Sequence, residues 1–192
     1  LSCVSIRMMK KLVLKYGYFL GIISQLILIL ILMLLLTDVN EIFRYAARFS
    51  GRFSFSLYLI SLLSFLKFYT KNHTIVFTKK VLGVFSLIHL IHFCFLATSI
   101  YLNSIPIILY RLAGGFIAYI MIIIYPFYIE KVKNKILHFI YFYYVGFIMI
   151  MTYIARIRGN FKGAEPEMFH YLAITFLIIT LIVFSYKIYS KK

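Results

Sequence analysis

Two histidines three residues apart, in an otherwise apolar stretch, are the first place where this sequence could do chemistry. They are His89 and His92, within Leu82-Gly83-Val84-Phe85-Ser86-Leu87-Ile88-His89-Leu90-Ile91-His92. Residues three apart on a helix share a face, so both imidazoles project toward the same neighbours. At ~1.5 Å rise per residue they lie about 12–17 Å beyond the start of such a helix, near the middle of a bilayer. His138 opens another apolar stretch, as Leu137-His138, and belongs close to a membrane surface. Neutral imidazoles on two helices of a bundle can be the axial ligands of a b-type haem. By depth, His89 is the better partner for His138, with His92 tuning or substituting. The same groups can instead hydrogen-bond a neighbouring helix, hold Zn or Cu, or relay a proton. Spacing alone leaves these readings open. His73 and His170 are expected to be solvated residues at the interface.

The second constellation is Glu41-Ile42-Phe43-Arg44-Tyr45-Ala46-Ala47-Arg48-Phe49-Ser50-Gly51-Arg52. Arg44, Arg48 and Arg52 recur every four residues and form one stripe if the segment is helical. Guanidinium groups near a membrane face can hold haem propionates, a quinone headgroup or a lipid phosphate by forked hydrogen bonds. They can also simply snorkel to headgroups. No hydrolase triad, phosphate loop or carboxylate pair is visible. With five acidic residues in the whole chain, acid–base hydrolysis has little to work with.

These side chains need elements to position them, and composition says which. Of 192 residues 64% are hydrophobic and only 14% charged, against roughly a quarter charged in soluble domains. Water cannot solvate such a surface, and lipid requires every backbone polar group to be paired within the protein. A transmembrane barrel alternates polar and apolar residues in segments of about 10 residues. Here the apolar runs are continuous, which predicts an all-α, polytopic membrane bundle: one integral membrane domain over residues 1–192. Six spans are expected, at roughly 17–36, 50–66, 81–102, 113–129, 136–155 and 169–186. The first is long enough to cross and has no small-residue cleavage site after it, so it reads as a retained helix rather than a signal. Pro126 should kink or end the fourth. Gly114-Gly115 reads as a close-packing signal, and Tyr141, Tyr143, Tyr144, Thr152 and Tyr153 as packing groups or the lining of a redox or proton path. Cys3 and Cys94 suggest neither a disulfide nor a thiolate metal site.

The net charge of +16 does not point to nucleic acid, because the basic residues fall in short clusters between apolar runs. Arg7, Lys10, Lys11 and Lys15 precede the first span. Lys67, Lys71, Lys79 and Lys80 separate the second from the third, and Lys131, Lys133 and Lys135 the fourth from the fifth. Lys187, Lys191 and Lys192 close the chain. The positive-inside rule then places both termini in the cytoplasm, with lipid headgroups as the contacts of these clusters.

In these residues the sequence resembles the ferric-reductase-like transmembrane superfamily, and most of all a small bacterial branch without an attached flavin domain. The resemblance rests on Arg44-Tyr45-Ala46-Ala47-Arg48-Phe49-Ser50, on Lys79-Lys80 followed by Leu82-Gly83 and His89 to His92, and on Gly114-Gly115. It continues through Leu137-His138 to Thr152-Tyr153-Ile154-Ala155-Arg156, and so covers roughly residues 44–156. It implies a haem b held by histidines on the third and fifth helices, here His89, His92 and His138. It also implies electron relay across a bacterial inner membrane, as the membrane component of an oxidoreductase. A redox partner protein or a quinone would complete the system. The competing expectation is a non-enzymatic membrane protein, an assembly factor or small transporter subunit, whose histidines pack or relay protons.

Overall fold

The computed structural model describes residues 3–71, 75–104, 109–159 and 166–189, and every regular element among them is helical. The helices are α1 (Cys3–Leu35), α2 (Val39–Lys71), α3 (Ile75–Leu102), α4 (Leu109–Tyr128), α5 (Lys135–Ile157) and α6 (Met168–Tyr189). Five of them, all but α4, are long and apolar enough to cross a membrane. The chain is therefore an integral membrane protein of the helical-bundle class. In α4 the apolar stretch is Leu112–Tyr128. At ~1.5 Å per residue it reaches about 26 Å, at the lower limit for a ~30 Å hydrocarbon core. Pro126 lies in its last turn, and the helix stops two residues later.

The helices run beyond the apolar segments, for local reasons. Asp38 caps α2 by accepting the Asn40 amide at 3.0 Å, while its carbonyl accepts from Ile42. Glu41 sits in the first turn, where a carboxylate suits the helix dipole. It pairs with Arg44 one turn on. The charged Glu41–Arg52 stretch is thus helical, as the arginine stripe requires. Asn134 caps α5 in the same manner, accepting the Ile136 amide at 2.9 Å.

The chain divides into two compact units. Leu1–Ser61 with Thr74–Ile107 form one, and Leu62–His73 with Ile108–Lys192 form the other, so α2 contributes to both. In the first unit Leu82, Phe85 and Ile88 of α3 are buried with Ala46, Ala47 and Tyr58 of α2. Leu26, Leu30 and Leu34 of α1 are exposed, as lipid-facing residues are. Gly83 explains one close approach: the Tyr18 hydroxyl lies where its β-carbon would stand. The Lys80 ammonium sits 3.8 Å from the centroid of that tyrosine ring. Gly83→Ala should therefore push Tyr18 off α3 and cost about 1–3 kcal/mol, the usual range for overpacking. Thermal unfolding in detergent measures it, and a Tyr18→Ala background should remove most of the penalty.

The second unit is built on rings. Phe65, Phe142 and Phe184 meet with centroids 4.9 to 6.1 Å apart, and Tyr125 stacks on Tyr141 at 3.7 Å. Gly114 packs against Ile148 of α5 and accepts a hydrogen bond from the Tyr144 hydroxyl at 3.1 Å. A β-carbon on Gly115 would meet nothing within 4 Å, so only the first of the two glycines serves close packing. Tyr143 bonds Ser185 of α6. Tyr143 and Tyr144 thus join helices.

Candidate functional site

His89 and His92 lie on one face of α3, their ring centroids 5.5 Å apart. Both Nδ1 atoms are held by α2. Ser54 Oγ stands 2.7 Å from Nδ1 of His89 and Ser50 Oγ 3.1 Å from Nδ1 of His92. Serines four apart on one helix present hydroxyls one turn apart, which matches the three-residue spacing of the histidines. The Ser50 hydroxyl also reaches the Ala47 carbonyl at 3.4 Å. When it donates there, its oxygen accepts Nδ1–H of His92, and the lone pair of that imidazole is on Nε2.

Gly51 completes the seat. A β-carbon at Gly51 would stand 3.0 Å from Cε1 and 3.3 Å from Nδ1 of His92, so the ring rests on the bare backbone of α2. His92 is 8% exposed. On the other side of the pair, the Phe85 ring lies 5.3 Å from that of His89. Ser50, Gly51 and Ser54 escaped the histidine-centred reading of the sequence. Their small–small spacing within a span was the signal available.

His138 belongs to the second unit, in the first turn of α5, and is 7% exposed. Its Nε2 lies 3.0 Å from the Val132 carbonyl, to which it donates. Nδ1 is then the acceptor for the Tyr125 hydroxyl at 2.7 Å. Both ring nitrogens are engaged, and the tautomer follows from the partners. The Phe65 ring packs at 5.0 Å and the Tyr125 ring meets it edge-on at 5.8 Å.

His170 is not the solvated residue expected from its place at the end of a span. It is 2% exposed, with its ring against Tyr153 and Phe169. Its Nδ1 accepts the Glu167 amide at 3.0 Å. It thereby fills, at the start of α6, the role a glutamate takes at the third helical position of a capping box. His73 lies outside the described residues.

The arginine stripe exists, and aromatic rings interleave it. Arg44 and Arg48 flank the Tyr45 ring at 5.7 and 5.0 Å, and Arg52 lies 5.3 Å from the centroid of Phe49. Arg44 is also paired with Glu41. Gln25 of α1 is a further buried polar group, 4% exposed, whose Oε1 meets no hydrogen-bond donor among the described residues.

Chemically, the α2–α3 pair offers two imidazoles, each held at Nδ1 by a serine hydroxyl of α2. Among the described residues no three His, Cys, Asp or Glu side chains gather closely enough to hold a metal ion by themselves. Fold and side chains together define a helical membrane protein with buried, hydrogen-bonded histidines. Compared with protein-family models, curated proteins and solved structures, the chain finds no match.

Proposed function

We propose that the chain is a haem b-binding membrane subunit, ferric-reductase-like in kind, that relays electrons across a bacterial inner membrane. Both termini would be cytoplasmic. The observation that supports it most is the His89–His92 pair, with each Nδ1 against a serine of α2. The bound iron would supply a one-electron couple. The protein's own work is to fix the ligand tautomer through Ser50 and Ser54 and to seat His92 on Gly51. Arg48 and Arg52 sit within a turn of Ser50 and Gly51 on α2 and, with Arg44, would be the guanidinium groups that meet propionates. Electrons would enter from a partner protein or a quinol and leave to an outer acceptor.

His89 or His92 would hold the iron through an imidazole nitrogen, and the second ring of the pair would tune the first. His138 lies in the other unit, with both ring nitrogens bonded to Val132 and Tyr125. A reduced-minus-oxidised absorption spectrum of the purified chain, expressed with ample haem, tests the proposal. A Soret and α-band should be present and should vanish in the His89→Ala/His92→Ala variant. The exposed Cys94→Ser control should keep them. No haem bands in the wild-type chain would sink the idea.

One observation favours a second reading, in which the protein is non-enzymatic and its histidines pack helices or relay protons. His138 and His170 already act as structural hydrogen-bonding groups. A haem-free chain in which His89→Ala and Ser54→Ala are strongly coupled in stability would support it.

A further inference from the structure

In the second unit, a cavity of about 510 Å³ opens where the end of α2 meets the start of α5. Phe65, Phe68 and Tyr69 of α2 wall it, with Val132, Lys133, Lys135 and His138 on the other side. The lining includes two lysines and no acidic residue, and Glu130, the nearest acid in sequence, is not part of it. The Lys135 ammonium stands 5.3 Å from the Tyr69 ring centroid, so the aromatic wall holds one of the two charges at the cavity. His138 spends both nitrogens on Tyr125 and Val132, and contributes a wall rather than a charge.

An apolar, ring-lined wall beside two lysines, with no acid in the lining, suits a molecule with an anionic head and a hydrocarbon body. A small hydrophilic anion would leave the rings unused, and a neutral lipid would leave the lysines unused. We propose that this cavity binds the phosphate headgroup of an anionic phospholipid, with Lys133 and Lys135 on the phosphate and the Phe65–Tyr69 wall against the glycerol and upper acyl chain. The first turn of α5, capped by Asn134, lies at the same end and adds its partial positive charge. The lysine clusters of the sequence assign this end to the cytoplasmic leaflet, where anionic lipids concentrate. None of this depends on haem.

The test is lipid binding by the detergent-purified full chain, followed by native mass spectrometry. Short-chain phosphatidylglycerol is compared with phosphatidylcholine of the same chains and with inorganic phosphate. Phosphatidylglycerol should bind, and both comparison compounds should bind at least about tenfold more weakly. A headgroup-proximal lysine contributes about fivefold in affinity. Lys133→Gln/Lys135→Gln should therefore weaken phosphatidylglycerol roughly twentyfold or more while keeping the lipid-free unfolding midpoint. Lys10→Gln/Lys11→Gln removes the same charge from a headgroup-facing cluster of the other unit and should weaken binding far less. Equal losses in the two double variants would reduce the effect to diffuse charge attraction and overturn the proposal. So would phosphate binding as tightly as lipid, or an absence of preference for phosphatidylglycerol.

Discussion

Replacing His138 with alanine should lower the stability of the second unit by about 2–4 kcal/mol, judged from large-to-small substitutions in packed cores. The ring packs against Phe65 and Tyr125 and walls the neighbouring cavity, so its removal forfeits those ring contacts and widens the cavity. Hydrogen bonding adds less. Interhelical bonds in membrane proteins average about 0.6 kcal/mol, so the Tyr125 and Val132 bonds together contribute about 1 kcal/mol. Packing is therefore the larger component, and the comparison variants should show it. Tyr125→Phe deletes the hydroxyl that Nδ1 accepts but keeps every ring contact, and should cost about 0.5–1.5 kcal/mol. In the His138→Ala background the same change should cost nearly nothing, because the acceptor has gone. Thermal unfolding in detergent with a double-mutant cycle measures both. A Tyr125→Phe penalty as large as that of His138→Ala would mean that the hydroxyl, and not the ring, holds the first turn of α5 in place.

The class of fold was legible because lipid solvation leaves so few solutions. Continuous apolar runs such as 17–36 and 169–186 admit only helices; α6 includes the second, and α1 covers the first up to Leu35. Boundaries were less legible where helix extends outside the apolar stretch. α2 starts at Val39 because Asp38 caps it and Glu41 pairs with Arg44, effects that hydropathy does not register. At the candidate site, spacing alone put His89 and His92 on one face. The partners were not legible, since Ser50 and Ser54 reach the histidines from a helix that runs some 40 residues earlier in the chain. His170 misled for a related reason. A histidine at a span end reads as solvated until a helix start needs an acceptor and Tyr153 and Phe169 cover the ring.

Gly51 is where the candidate site is most exposed to disruption. Its missing side chain is occupied by the His92 ring, with Cε1, Nδ1 and Nε2 all within 3.5 Å of a β-carbon position. Alanine there would press on the ring by a few tenths of an ångström, and the ring is already tied to Ser50. Leucine at position 51 would claim the ring's own volume. Gly51→Leu should therefore evict His92 and break its serine bond, at a cost of about 2–4 kcal/mol from overpacking and one lost hydrogen bond. Helix propensity alone works in the opposite direction, since leucine is better than glycine by roughly 0.5–1 kcal/mol in a helix interior. A net loss would thus show that the contact, and not the backbone, decides the outcome. Removing the ring should reverse the sign: in a His92→Ala background, Gly51→Leu fills the space left and should be neutral or stabilising. The interaction energy of that cycle should exceed about 1 kcal/mol, as for residues in direct contact. If the two substitutions instead add independently, His92 does not rest on Gly51, and the serine-held pair loses the support that keeps its imidazoles in one orientation.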